Sequence, residues 1–266
     1  SEFFERVLLT YADLTTRAPP APVDLVVWPE NAVNFYLERE AMLRPILDDI
    51  AARTREGLVV GGPRQTDAGA SLVSAYLLGP DGQVRGIYDK QHLLPFAEYD
   101  PLSSLRGPTT VTDSFTPGVP RDLLRTRSLR LGTVICYEAL FPTLVRDVVQ
   151  RGANLLVNIS NDSWLDDGGG AAPAQHFSMI PFRAIETRRY VVRASASGVS
   201  GFIDPAGAVY ALLARATVGV SIARVEPRDG YTWYVRHGDS WLLFLGILIG
   251  LLTFGCRQRF AVASTP

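Results

Sequence analysis

Short apolar runs alternate with amphipathic stretches through most of the chain. Apolar residues at helical spacing predict a helix over Glu2–Arg17, and similar patterns predict helices over 38–55, 141–150 and 172–188. Apolar runs rich in β-branched residues predict buried strands over 24–28, 58–62, 129–135 and 153–160. This alternation of strands and helices favours a layered α/β fold.

A β-hairpin interrupts that alternation. Gly79-Pro80-Asp81-Gly82 separates two strand-like segments, 71–78 and 83–88, and such a turn is typical of a hairpin. Further strands are predicted over 190–196, 201–204 and 209–213, and 218–225 is predicted to be the last strand of the domain. Since hairpins lie between the alternating elements, we expect an α/β sandwich rather than one doubly wound sheet.

The end of the chain has a different pattern. Residues 241–256 are apolar and uncharged, a length just below the roughly 17–25 residues usual for a membrane span. Aromatic residues precede this run and arginines follow it, which is typical of a membrane interface and a cytoplasmic flank. We therefore predict a globular domain over 1–230, an interfacial linker over 231–240, a transmembrane helix over 241–256 and a cytoplasmic tail over 257–266. A buried core helix is the alternative.

Composition excludes several classes of protein. Hydrophobic residues make up 47% of the 266, so a large core can form, and 26 basic against 27 acidic residues give no basic surface for nucleic acid. Two cysteines do not make a disulfide framework, and the three histidines lack metal-ligand spacing. The chain starts at Ser1 without a visible signal peptide, so we expect either processing or missing upstream sequence.

Three chemically active residues each follow a predicted strand. Glu30 comes after 24–28, Lys90 after the hairpin, and Cys136 after 129–135. A cysteine nucleophile needs a base to take its proton and a cation to stabilise negative charge, and these residue types supply both. Taken singly, they are better explained as a solvated loop acid, a surface lysine and a buried cysteine.

The motifs around these residues resemble those of the nitrilase, or carbon–nitrogen hydrolase, superfamily. W-P-E ends at Glu30, Y-D-K-Q-H-L-L-P-F-A-E-Y contains Lys90, and I-C-Y-E contains Cys136. More narrowly, the chain resembles the apolipoprotein N-acyltransferase branch. That narrower resemblance rests on S-N-D-x-W at 160–164, Q-H at 175–176, R-A-I-E-T-R-R-Y at 183–190, I-D-P-x-G at 203–207 and Y-x-R-x-G-D at 234–239.

The chain also departs from that branch. Leu165-Asp166 replaces the common Phe-Gly, and Ser197-Gly198 replaces the frequent Asn-Gly, which bears on loop detail and acyl-chain selectivity. The branch carries several membrane helices before this domain, so we expect the chain to be the C-terminal part of a longer protein.

The resemblance implies a fold and an activity. The fold would be a nitrilase-like four-layer αββα sandwich followed by one C-terminal transmembrane helix. Glu30 would be the general base, Cys136 the nucleophile and Lys90 the oxyanion stabiliser. The enzyme would move an acyl chain from a membrane phospholipid, through a cysteine thioester, to the N-terminal lipid-modified cysteine of a diacylated apolipoprotein. No metal or organic cofactor would be needed.

The expected location is the bacterial inner membrane, with the catalytic domain on the periplasmic side. Glu98 would orient Lys90, Tyr137 would offer a backbone N–H, and Glu138 would support the pocket, although each glutamate could instead form a plain salt bridge. Four apolar residues are expected to form an acyl-chain lid, with core packing as the alternative: Trp164, Phe177, Met179 and Ile180. The alternative functions are a nitrilase-type amidase acting on a small substrate and an inactive binding module.

Overall fold

The computed structural model describes residues 2–18, 23–37, 39–102, 115–120, 122–165 and 171–262. Within these ranges two β-sheets lie face to face, with helices on their outer sides. The helices are α1 (Glu2–Arg17), α2 (Arg44–Ala52), α3 (Pro142–Gln150), α4 (Ala172–Ser178), α5 (Ile180–Thr187), α6 (Trp233–His237) and α7 (Ser240–Val262). The strands are β1 (Val23–Val27), β2 (Thr54–Gln65), β3 (Ser71–Leu78), β4 (Val84–Asp89), β5 (Leu124–Arg125), β6 (Arg130–Ile135), β7 (Leu155–Ser160), β8 (Val191–Ser195), β9 (Ser200–Ile203) and β10 (Val209–Leu213).

The first sheet has the strand order β1-β2-β3-β4. β1 and β2 are parallel, whereas β2, β3 and β4 form an antiparallel meander. The predicted hairpin between β3 and β4 is confirmed, and its turn is closed by a hydrogen bond from Gly79 N–H to Gln83 O at 2.8 Å. Lys90 therefore follows the last strand of this sheet, and Glu30 follows the first.

The second sheet has the order β10-β9-β8-β7-β6-β5. Its centre, β6-β7-β8, is parallel, and its remaining pairs are antiparallel. A parallel sheet must be covered on both faces, and β7 is buried along its whole length. Cys136 follows β6 and Asn161 follows β7, so both residues lie at the same edge of this sheet.

Alternate residues of the strands separate the layers of the sandwich. In β2, Val59 packs between the two sheets, whereas its neighbours Leu58 and Val60 pack against α1 and α2. On the other sheet, Val134 and Leu156 pack against α3 and α5. The four layers expected from the sequence are thus confirmed as an α/β sandwich. Burying each such side chain contributes about 1.5–3 kcal/mol.

Three predicted elements differ in the structure. Of the helix predicted over 38–55, only Arg44–Ala52 forms α2, and Thr54 and Arg55 belong to β2. The helix predicted over 172–188 is divided into α4 and α5 because Pro181, at the start of α5, lacks the N–H that would continue α4. The strand predicted over 218–225 is wrong: this fully described segment pairs with no strand. It is joined to β10 by side-chain hydrogen bonds, from Tyr210 Oη to Arg224 O and from Ser221 Oγ to Ala211 O.

The C-terminal apolar run forms α7, and its described side chains are mostly exposed. In the part of the chain that the structure describes, no helix is both long and apolar enough to cross a membrane. The transmembrane helix expected over 241–256 is thus not shown, and it stays a prediction.

Candidate active site

Cys136 lies where β6 ends and a short 3₁₀ helix, Cys136–Leu140, begins. Its backbone has a φ of 51°, a left-handed conformation that a non-glycine residue adopts only when its surroundings hold it. Its residue is 1% exposed, and the thiol lies 3.9 Å from Asn161 O, as a donor to that carbonyl. The chain thus presents one buried thiol at a sharp bend between strand and helix.

Lys90 is the cation of the site and is also 1% exposed. Its Nζ lies 3.2 Å from Glu30 Oε1 and 2.5 Å from Glu98 Oε1. Glu98 is itself held because its Oε2 accepts the Leu94 N–H at 2.8 Å. The structure therefore brings Glu30, Lys90 and Glu98 together. The contact between Glu98 and Lys90 fits both the expected orienting role and a plain salt bridge.

Glu30 is held from two directions. Its Oε2 accepts the Asn161 N–H at 2.8 Å, and the Asn161 carbonyl faces the Cys136 thiol, so Asn161 bridges the Glu30 carboxylate and the thiol. β2 closely approaches the backbone that carries Glu30, since the Gly61 N–H donates to Pro29 O at 3.2 Å. A Cβ on Gly61 would lie 2.7 Å from Glu30 Cα, so only glycine allows this approach.

The charges set the protonation states of the three residues. Burial, together with the Glu30 charge, raises the pKa of the Cys136 thiol to about 12, although Lys90 acts in the opposite direction. Burial also raises the pKa of Glu30 above its usual value, against the effect of Lys90. Burial disfavours the Lys90 ammonium, but Glu30, Cys136 and Glu98 outweigh it and raise its pKa. At neutral pH the site therefore holds a thiol and a permanent cation, with a carboxylate of increased basicity.

The carboxyl group of Glu138 accepts several hydrogen bonds, whereas the sequence had left a plain salt bridge open as its role. Its carboxylate accepts N–H groups of Gln91 at 2.6 Å, His92 at 3.1 Å and Ile135 at 2.7 Å. It also accepts the Tyr88 hydroxyl at 2.9 Å. Because these donors come from β4, the segment after Lys90 and the end of β6, Glu138 joins the Lys90 and Cys136 segments.

An open groove of about 440 Å³ lies beside these segments. We call it the aromatic groove, and four of its lining residues are His92, Phe115, Tyr137 and Phe141. The His92 and Phe141 rings are 4.4 Å apart, and the Tyr137 ring meets Phe141 edge-on at 5.0 Å. Tyr137 and Gln91 both line the groove, and they directly follow Cys136 and Lys90 in the chain, so the groove borders the polar site.

The four residues expected to form a lid have different environments. Trp164 and Met179 are exposed, and Phe177 is partly buried on α4. Ile180 is instead buried in the core that α3 and α5 form with the second sheet. The glycine-rich loop at 168–170 lies outside the described residues.

Sequence reasoning gave no role to a second buried polar cluster, which lies behind Cys136. Asp162 and His176 are 2% and 5% exposed, and His176 Nδ1 lies 3.1 Å from Asp162 Oδ1. Arg193 and Ser160 also donate to Asp162. The S-N-D and Q-H motifs were the available signal, but nothing in their spacing indicated that they meet.

Metal-ligating atoms of Cys136, Asp162 and His176 lie within 4.8 Å of one another, and among the described residues this is the group that could hold an ion. The chemistry around this group of residues does not favour a bound metal ion. The Asp162 carboxylate already accepts Arg193 Nη2 at 2.8 Å and Ser160 Oγ at 2.6 Å, and the guanidinium would repel a cation.

A buried cysteine, a glutamate and a lysine at the ends of strands in an αββα sandwich define a thiol enzyme of the carbon–nitrogen hydrolase type. The family model described as carbon–nitrogen hydrolase matches residues 2–234. The chain belongs to the carbon–nitrogen hydrolase family.

Comparison with individual relatives shows a similarity to one branch of this family. The chain is similar to the apolipoprotein N-acyltransferase of Geobacter metallireducens, with 36% identity over 93% of the chain and 49% of the relative. It is also similar to that of Azotobacter vinelandii, with 36% identity over 97% of the chain and 50% of the relative. The chain thus spans about half the length of these curated relatives.

A solved structure supports the fold alone. The carbon–nitrogen hydrolase from Helicobacter pylori superposes with a TM-score of 0.63 at 18% identity, over 79% of this chain and 80% of that one.

Proposed function

We propose that this chain carries the acyl-transfer site of an apolipoprotein N-acyltransferase. The acyl donor would be a membrane phospholipid, and the acceptor would be the α-amino group of a diacylated apolipoprotein. The observation that carries this proposal is the contact of Lys90 with Glu30, next to the Cys136 thiol, in a chain 36% identical to enzymes of that name.

In the first half-reaction, the Cys136 thiol attacks the ester carbonyl of the donor. Since burial and the Glu30 charge keep this thiol protonated, a base must take its proton during the attack. Glu30 is that base, because burial makes its carboxylate more basic than usual. The new bond joins sulfur to the carbonyl carbon, and the carbonyl oxygen becomes an oxyanion.

The oxyanion needs a fixed positive partner. Lys90 cannot serve as an acid at neutral pH because the neighbouring carboxylates raise its pKa, so its role is electrostatic. Glu98 holds its Nζ from the other side. The backbone N–H of Tyr137 is the second donor that we assign to the oxyanion.

Collapse of the tetrahedral intermediate breaks the ester bond. The leaving alkoxide takes the proton from Glu30 and departs as a lysophospholipid, and a thioester remains on Cys136. In the second half-reaction the acceptor amine attacks this thioester, and Glu30 accepts the amine proton. Glu30 then returns a proton to the departing sulfur, which gives an amide and the free enzyme.

Two surfaces suit lipid substrates. The aromatic groove borders Tyr137 and offers an apolar wall beside the nucleophile. The exposed apolar side chains of α7, among them Trp241, Phe244 and Ile247, form a surface that water solvates poorly. We infer that α7 contacts the apolar part of a bacterial inner membrane and that the catalytic domain lies on its periplasmic side.

The direct test is intact-mass spectrometry of the protein in detergent after incubation with phosphatidylethanolamine. The proposal predicts one hydroxylamine-labile acyl adduct per chain, with release of lysophosphatidylethanolamine, and neither product from Cys136→Ala. Addition of a diacylated lipopeptide should discharge the adduct and give an N-acylated peptide.

The same preparation distinguishes the alternative. If the folded protein forms no adduct but hydrolyses small soluble amides in a Cys136-dependent manner, the acyl-transfer proposal is refuted in favour of an amidase. Far-UV circular dichroism and a cooperative thermal transition establish that each variant is folded.

A further inference from the structure

The imidazole of His176 lies directly behind the nucleophile. It is carried by α4, and its two ring nitrogens face two different partners. Nδ1 lies 3.1 Å from Asp162 Oδ1, and Nε2 lies 3.4 Å from the backbone oxygen of Cys136. The ring thus bridges a buried carboxylate and the peptide group that follows Cys136.

Asp162 is held firmly enough to fix that ring. Arg193 Nη2 donates to Asp162 Oδ2 at 2.8 Å, and Ser160 Oγ donates to Oδ1 at 2.6 Å. Arg193 is fixed in turn, since its Nε donates to Val199 O at 3.1 Å. Gly198 packs closely against Asp162, because a Cβ there would lie 1.9 Å from Oδ2.

The carboxylate is charged at any pH at which the protein would be assayed. Burial acts to raise the pKa of Asp162, but the His176 hydrogen bond, the Arg193 charge and the Ser160 hydroxyl together lower it well below its usual range.

Tautomer chemistry places a proton on Nε2. If Nε2 carried no hydrogen, its lone pair would face the lone pairs of the Cys136 oxygen, which is unfavourable. In the imidazolium form, Nδ1–H donates to Asp162 and Nε2–H donates to Cys136 O. A ring with a proton on Nε2 alone would face the Asp162 carboxylate with a bare Nδ1 at 3.1 Å, which is equally unfavourable. Only the ring with a proton on both nitrogens satisfies both contacts, and it directs the Nε2 proton at the Cys136 carbonyl.

The Cys136 carbonyl and the Tyr137 N–H belong to one planar trans peptide group, so they point in opposite directions. A hydrogen bond that holds the carbonyl therefore also fixes the direction of the N–H. That N–H is the backbone donor that we assigned to the oxyanion. The left-handed φ of Cys136 makes such support necessary, because an L-residue does not keep this conformation unaided.

We propose that Asp162 and His176 form a positioning pair that orients the Cys136–Tyr137 peptide group for oxyanion stabilisation. The proposal rests on the acyl transfer proposed above and extends it to residues that touch neither substrate nor reacting atoms. Its consequence is specific: loss of the Nε2 donor slows steps that form an oxyanion and leaves other reactions of the thiol nearly unchanged.

Two substitutions of His176 separate this role from general packing. In His176→Gln the amide nitrogen reaches the position of Nε2 and can still donate to the Cys136 carbonyl. In His176→Asn the shorter amide reaches only the position of Nδ1 and keeps the Asp162 contact alone. His237→Gln, which changes an exposed histidine outside the site, is the matched control.

Three rates are measured on each variant. The burst of p-nitrophenol from p-nitrophenyl butyrate reports acylation of Cys136 through an oxyanion, without a lipid substrate. Alkylation of Cys136 by iodoacetamide, read by peptide mass spectrometry, reports thiol reactivity without an oxyanion. Acyl-adduct formation from phosphatidylethanolamine reports the proposed donor.

We expect His176→Asn to lower the burst rate constant about 10- to 100-fold, with little change in the half-saturating ester concentration. His176→Gln and His237→Gln should stay within roughly threefold of the parent, and alkylation should change less than roughly threefold in all variants. Thermal transitions near that of the parent show that the folds are intact.

Other outcomes overturn the inference. Equal losses in the Asn and Gln variants, or alkylation that falls in parallel with acylation, would mean that His176 serves packing alone. A burst in the parent without any phospholipid adduct would refute the proposed donor and leave the positioning test valid. The absence of both a burst and an adduct in the folded parent would refute both proposals.

Discussion

Gly61→Ala tests whether the close approach of β2 to the segment after β1 positions Glu30, the proposed base. The added Cβ would lie 2.7 Å from Glu30 Cα, 2.7 Å from Pro29 O and 3.0 Å from Ile159 Cδ1. Two of these three neighbours are backbone atoms, which cannot rotate away. The mutation therefore has to displace the Pro29–Glu30 segment rather than a flexible side chain.

The size of that displacement follows from the distances. Ordinary van der Waals contact for a Cβ begins near 3.4 Å, so the segment has to move by about 0.7 Å from its 2.7 Å contact. Glu30 Oε1 is 3.2 Å from Lys90 Nζ, and a shift of that size takes it out of hydrogen-bond range. Since a misplacement of about 1 Å can cost roughly 100-fold, we expect acylation of Cys136 to slow about 10- to 100-fold.

The assay is single-turnover acylation from phosphatidylethanolamine, followed by intact mass. Urea unfolding runs alongside, because overpacking should also lower the free energy of unfolding by about 1–3 kcal/mol. Gly219→Ala is the matched control: its Cβ meets only Leu213 Cδ2, at 3.4 Å, and it should acylate at the parental rate. A folded Gly61→Ala protein that acylates as fast as the parent would refute the reasoning, since Glu30 would then not depend on this approach.

Two further predictions concern the buried charges. Lys90→Met leaves the Glu30 and Glu98 carboxylates uncompensated, so urea unfolding should show a loss of about 3–5 kcal/mol, and intact mass should show no acyl adduct. The double variant Lys90→Met/Glu98→Gln should regain part of that stability and none of the acylation; no regain would contradict the charge argument. Burial raises the pKa of Glu138 from its usual 4.5 to about 7, so the folded state bears a cost of roughly 3 kcal/mol above pH 7 that disappears as the pH falls to 4.5. Urea unfolding between pH 4.5 and 8 should therefore show a stability difference between the parent and Glu138→Gln that varies with pH, and a constant difference would refute this assignment.

The local pattern of hydrophobic and polar residues determined most of the helices and strands and the positions at which the strands end. Periods of two and 3.6 residues are properties of neighbouring positions, and the hairpin turn and α1 needed no distant contact. The same local signals placed Glu30, Lys90 and Cys136 directly after strands. The strand propensity of 218–225 gave a wrong prediction, because this segment has no partner strand. Strand formation depends on pairing with a neighbour as well as on the residue pattern.

Tertiary structure alone decided which side chains meet. β1 and β4 lie at opposite edges of the first sheet and Cys136 belongs to the second, so the site exists only because the two sheets are packed together. His176 illustrates the difference: the sequence shows a histidine without metal-ligand spacing, and the structure sets its ring between Asp162 and the Cys136 carbonyl. Periodicity encodes which face of an element is buried, whereas contacts between residues far apart in the chain depend on how the layers stack. The amino-acid sequence by itself therefore determined the layers and the chemical groups of this protein, and the packing of those layers decided how the groups are arranged to act.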